Sequence, residues 1–143
     1  TAVLGVVGQV GKRRADTVSR SVGTTLAAEL MSRITALPLA DPDSGVITGA
    51  ADAGEKSVAQ YDNAGDYSGY SEAAVCDSTG KAVSGLSDYS REVTIQWLTA
   101  ATDAKGGSTP TNAAKITVVV KFKGKPVATL TNVRSAGWEN GRP

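Results

Sequence analysis

The sequence predicts an α+β fold in which one long N-terminal α-helix packs on an antiparallel β-meander. Three observations lead there. Apolar side chains recur at four-residue steps through the first quarter of the 143 residues. Runs of alternating apolar and polar residues fill the last third, and a long Gly-, Ser- and Asp-rich connection separates the two. A helix with one apolar stripe and a sheet with one apolar face each need cover, and laying one on the other satisfies both.

The helix is clearest over residues 16–37. Val18, Val22, Leu26, Leu30 and Ile34 step by four, with Ala27, Met31 and Leu37 beside them. Each step turns the stripe by about 40°, which gives a slanted ridge. Lys12, Arg14, Arg20, Glu29 and Arg33 fall largely off it. Pro38 ends the run, because proline cannot continue a helix interior and restrains the residue before it. Val22, Gly23, Thr24 and Thr25 are weak helix formers, so packing must hold the middle. With Thr1 to Gly11 included the rod is about 55 Å long, more than a small domain can bury. Val3, Leu4, Val6, Val7 and Val10 then overhang and require lipid, sister copies or both. The stretch Thr1 to Gly11 is apolar apart from Gln9, yet falls short of the roughly 20 residues that cross a bilayer. It reads either as the tail of a longer hydrophobic helix or as an ordinary N-terminal helix end. Residues 1–15 are thus expected as the overhanging helix segment sheltered by lipid or sister copies, and 16–143 as the globular domain.

Pro38, Asp41, Pro42, Asp43, Ser44 and Gly45 announce a turn into an irregular connection over 38–90. Short extended pieces are expected near Val46–Thr48 and Ala73–Cys76, with a tight turn at Asp77–Lys81. Tyr61, Tyr67, Tyr70 and Tyr89 are suited to pin this connection to the body. The sheet spans 91–134. Val93, Ile95 and Trp97 alternate with Thr94 and Gln96. Ala100 to Ala114 is a loop, after which Ile116, Val118, Val120 and Phe122 share one face. Lys123-Gly124-Lys125 turns directly into Val127–Val133, the strongest hairpin signal in the chain. The face used by Val127–Val133 is open, since neither parity is consistently apolar. Trp97 is expected in the core, and Trp138 near the terminus is an interface candidate.

Composition narrows the chemistry. Basic and acidic residues nearly balance, at 15 and 14, so no global field is directed at nucleic acid. With no histidine, the histidine-dependent triads and the usual histidine-bearing metal sites are absent. No phosphate-cradling glycine motif occurs. The single Cys76 cannot form an internal disulfide. Asp62, Asp66 and Asp88, near Asn63 and Glu72, are candidate oxygen ligands for calcium; their spacing is not that of an EF-hand loop, and acidic residues in glycine-rich turns are ordinarily turn formers. Lys12, Arg13, Arg14 and Arg20 suit a solvated face, acidic residues of adjacent subunits, or an anionic partner such as lipid headgroups or DNA.

The stretch Thr24-Thr25-Leu26-Ala27-Ala28-Glu29-Leu30-Met31-Ser32-Arg33-Ile34-Thr35-Ala36-Leu37-Pro38 is similar to the helix end of minor pilins and of minor pseudopilins of type II secretion. There a small, Ala-rich turn runs into a charged one and stops at Leu-Pro. Tyr61 to Ser71 and Tyr89 to Ile95 resemble the loop and following strand of some prepilin-type proteins. The chain thus resembles the type IV pilin superfamily over most of Thr24–Ser135. The superfamily also carries a basic leader and a Glu at the fifth mature position, whereas position five here is Gly5; the resemblance implies that Thr1 falls inside the transmembrane half of the helix. It further implies a pilin-like fold, a bacterial inner-membrane or periplasmic precursor, and assembly into an extracellular filament or secretion pseudopilus. Such subunits are not enzymes, and some relatives bind calcium in a loop of this region.

The expected function is that of a non-enzymatic filament subunit. Val3, Leu4, Val7 and Val10 would carry assembly with other pilin-like subunits. Val22, Leu26, Leu30 and Ile34 would pack under Val93, Ile95, Trp97, Val118 and Val120. No cofactor is expected beyond the calcium candidate, and no nucleic-acid partner. The alternative is an envelope-anchored binding module whose loop, through Tyr61, Tyr67 and Tyr70, recognises a polymer or protein; Tyr, Ser, Gly and Asn are a common recognition vocabulary.

Overall fold

A computed structural model describes the backbone of residues 2–99 and 106–139 and the side chains of 12–99 and 106–137. Helix α1 runs Ala2–Ala36, followed by a 3-10 turn at Ala64–Tyr67. The strands are β1 (Ser71–Glu72), β2 (Tyr89–Trp97), β3 (Ala113–Phe122) and β4 (Lys125–Ser135), and a short helix α2 covers Ala136–Glu139. The strands form one antiparallel sheet in the order β1-β2-β3-β4. The fold is α+β, a helix on a meander. Among the described residues the sheet has four strands, one outside the expected 91–134 span, because Ser71 and Glu72 add a short edge beside Glu92 and Arg91.

The alternating pattern sets the sheet's inner face. Tyr89, Arg91, Val93, Ile95 and Trp97 of β2 are buried, as are Ala114, Ile116, Val118 and Val120 of β3. Leu30, Ile34, Ala27 and Met31 of α1 join the same core, with Val22 and Leu26 partly buried against it. The hairpin between β3 and β4 closes through Lys123 at φ 50° and Gly124 at φ 77°. Positive φ at both central residues is the tight turn whose twist matches the flanking strands.

Two sequence expectations are corrected here. Val18 lies not on the covered ridge but 61% exposed, while Ser19 is buried at 6%. The stripe under the sheet starts as Ser19, Gly23 and Ala27 and only then passes to Leu30 and Ile34. The reason is close approach: a Cβ on Gly23 would lie 2.7 Å from Val127 Cγ2 and 3.5 Å from Ala128 Cβ. Small residues let the helix touch β4. The second correction concerns Val46–Thr48, which forms no strand; the backbone N–H of Asp41 donates to the Val46 carbonyl at 2.9 Å and closes a turn instead. Ala73–Cys76 contributes a single bridge, Cys76 to Ala82, around the turn at Asp77.

The open question of β4 parity also has an answer. Ala128, Leu130, Asn132 and Arg134 sit opposite the inward residues of β3. Leu130 is nevertheless 36% exposed, as expected at the outer edge of a sheet. Val133, on the other face, is 58% exposed.

Candidate functional site

The most elaborate constellation is built around Arg91, which shares its strand face with Val93 and so points into the core. Its side chain is fully buried. The Nε–H donates to Glu72 Oε1 and one Nη1–H to Glu29 Oε2. Nη2 donates to the Cys76 carbonyl at 2.8 Å. Glu72, 6% exposed at its side chain, also accepts from the Tyr70 hydroxyl at 2.8 Å and the Cys76 N–H at 3.0 Å. A buried charge is tolerable only when paired and hydrogen-bonded, and this one is both. Arg91 thereby fastens α1, the edge strand and the 73–87 excursion to one point of β2.

The electrostatics follow this geometry. Partial burial pushes the Glu29 carboxyl up, but hydrogen bonds from Arg33 and Arg91 outweigh it and hold Glu29 below its usual range. Burial, reinforced by Glu72, drives the Tyr70 hydroxyl far above its ordinary value. Burial and the neighbouring Glu72 likewise raise the Cys76 thiol, so Cys76 is not poised as a thiolate nucleophile.

The three tyrosines come together edge to face. Ring centroids lie 5.0 Å apart for Tyr61–Tyr67, 5.4 Å for Tyr67–Tyr70 and 6.3 Å for Tyr61–Tyr70. Tyr67 is only 1% exposed. As a recognition residue Tyr67 is therefore corrected: its ring is a core contact, and Tyr61 and Tyr70 are the half-buried members. Tyr89 is buried too, against Phe122 at 4.8 Å.

Of the calcium candidates, Asp62 and Asp66 converge with Glu55, their nearest carboxylate oxygens all within 4.8 Å of one another. Asp88 is corrected out of this group; it sits 3.5 Å from Lys123 Nζ beside the β3–β4 turn. Asp66 is largely committed already. Its Oδ2 accepts from the backbone N–H of Asn63 at 2.9 Å and of Asp62 at 3.0 Å, and its Oδ1 from Asn63 Nδ2 at 2.6 Å. This is a capping box on the 3-10 turn, completed by the Gly65 N–H donating to Asn63 Oδ1 at 2.8 Å. Burial raises Asp66 by more than those bonds lower it, and burial with the charges of Asp66 and Asp62 raises Glu55.

An open cleft of about 610 Å³ lies between the 40–47 turn and the 110–112 segment, lined by Ala40, Gly45, Val46, Ile47, Pro110, Thr111, Asn112 and Ala136. None of these carries a titratable side chain. The side chains of Val3, Leu4, Val7 and Val10, expected to carry assembly, lie outside the described residues, as does that of Trp138. Lys12 to Val18, just behind the assembly residues, are all exposed.

No family model matches the chain, and neither a curated protein nor a solved structure does. Among the described residues no helix is long and apolar enough to cross a membrane.

Sequence reasoning found the helix–sheet core but missed Arg91, Glu72 and Glu29 as a unit. The signal was present in part. Arg91 lies two residues before Val93 and must share its inward face, and a buried guanidinium requires acidic partners. Which acids those are depends on long-range folding.

Proposed function

We propose that the chain is a non-enzymatic filament subunit, related in kind to minor pilins or pseudopilins, that assembles through the front of α1. The observation that carries this is the mismatch between rod and body. Helix α1 has 35 residues; among its described side chains, Lys12 to Val18 are exposed and burial begins at Ser19. About 10 Å of helix, from Lys12 to Val18, is therefore left uncovered by the sheet. The uncharged stretch Thr1 to Gly11 ahead of it is suited in composition to packing against other rods, and a body fixed behind it becomes the outer layer of the resulting filament.

In this reading Val3, Leu4, Val7 and Val10 pack between sister subunits, and the precursor waits at a bacterial inner membrane before entering a type IV pilus or type II secretion-type assembly. The Tyr61–Tyr70 loop serves mainly to close the body. The test compares two variants. Val7→Asp with Val10→Asp should abolish filaments in negative-stain micrographs and leave the melting temperature unchanged. Leu26→Asp should unfold the body by placing a charge against the core. Filaments that persist in the first variant overturn the proposal, and a Leu26→Asp body that melts like the parent overturns the packing beneath it.

A further inference from the structure

We propose that Lys12, Arg13 and Arg14, backed by Lys123 and Lys125, form a collar that binds anionic phospholipid headgroups. Gly23 touches Val127 and Ala128, and further along the Arg134 guanidinium donates to the carbonyls of Ile34 and Leu37, the latter at 2.6 Å. Helix α1 and β4 thus run side by side in the same sense. The turn at Lys123–Gly124, which opens β4, therefore lies at the end of the body from which the front of α1 projects. Two basic clusters far apart in sequence face one way.

Consecutive helical residues are about 100° apart, so Lys12, Arg13 and Arg14 encircle the rod rather than line one side. All three are exposed, and among the described residues no carboxylate is within ion-pair distance of them. Lys123 and Lys125 are exposed as well, with Asp88 beside Lys123 only partly offsetting them. Ahead of the collar, Thr1 to Gly11 contains no charged residue. Ten helical residues reach about 15 Å, half the hydrocarbon thickness of a bilayer. A rod inserted to that depth puts the collar among the phosphates, with the hairpin lysines one layer behind.

This deepens the filament reading by naming the membrane partner, and it is tested apart from that reading because vesicle binding requires no assembly. The full chain is mixed with vesicles of phosphatidylcholine alone or of equal parts phosphatidylcholine and phosphatidylglycerol, and bound protein is measured by flotation. Binding should favour the anionic vesicles and weaken with added salt. Lys12→Gln/Arg13→Gln/Arg14→Gln should lose about a hundred-fold on anionic vesicles, near five-fold per cation. Lys123→Gln/Lys125→Gln should lose up to about ten-fold. Both should melt like the parent, since none of these side chains enters the core. Equal binding to the two vesicle types, or undiminished anionic binding in both variants, overturns the proposal. So does binding of a short DNA duplex without preference for phosphatidylglycerol, which would give the collar to nucleic acid.

Discussion

Replacing Arg91 with Met should be the most damaging single change in the body that preserves side-chain length. Met fills the apolar part of the site but leaves Glu72 buried without its cation. Breaking a buried pair from one side costs about 3–5 kcal/mol, most of it the isolated charge. Glu29 adds little, because its carboxylate is half exposed and water screens it. For a chain of this size the expected drop in melting temperature is about 10–15 °C, followed by circular dichroism. The companion Arg91→Met/Glu72→Gln removes the stranded charge while an amide oxygen still accepts from Tyr70 and Cys76, so about half the loss should return. A single variant within about 1 kcal/mol of the parent in urea titrations would refute the linchpin role. A double variant no better than the single would refute the assignment of the cost to Glu72.

Gly23→Ala should destabilise by about 1 kcal/mol, overpacking against Val127 outweighing the gain in helix propensity; Val127→Ala should restore it, and a chemical-denaturation double-mutant cycle with no coupling would refute the contact. Glu55→Gln should raise the melting temperature at neutral pH. Glu55 and Asp66 have raised native pKa values, so they cost stability above those values and the cost disappears as pH falls below the ordinary carboxylate range; the advantage should vanish in melts at acid pH. Glu29 runs the other way. Its pKa is lowered in the folded state, so its contribution is complete above the ordinary Glu range and lost as pH falls through the lowered value. Glu29→Gln should therefore flatten the acid limb of the stability profile. Arg134→Gln should cost about 1 kcal/mol by removing a donor from the carbonyls of Ile34 and Leu37, in and just beyond the last turn of α1, seen as earlier hydrogen exchange there.

How much of this could be read in advance depended on which property carried the packing. Where side-chain size and apolarity did so, periodicity was enough: Leu30, Ile34, Val93, Trp97, Val118 and Val120 are all in the core. At the front of α1 the contact selects smallness instead, so the apolar Val18 drew attention and the buried Ser19 and Gly23 did not. For β4, an edge position leaves Leu130 and Val133 part-solvated, and alternation loses its meaning. That tyrosines pin the connection to the body was legible, and Tyr67 and Tyr89 are buried; their mutual edge-to-face contacts were not, because they depend on a loop closed through the capping box of Asn63 and Asp66. Asp88 and Glu55 exchanged places for the same reason. The loop path is set by backbone bonds such as the Ala64 N–H to the Pro38 carbonyl at 2.8 Å, which no local pattern announces.

The contact between Gly23 and Val127 joins segments about a hundred residues apart in sequence. On a ribosome the helix is made first, and the strand that shelters it follows about a hundred residues later, a delay of about 5 to 20 seconds. Only β1 and β2 can pair in the meantime, and Leu30 and Ile34 stay bare until β3 and β4 arrive. Until then the apolar stripe of α1 is open surface on which aggregation can start.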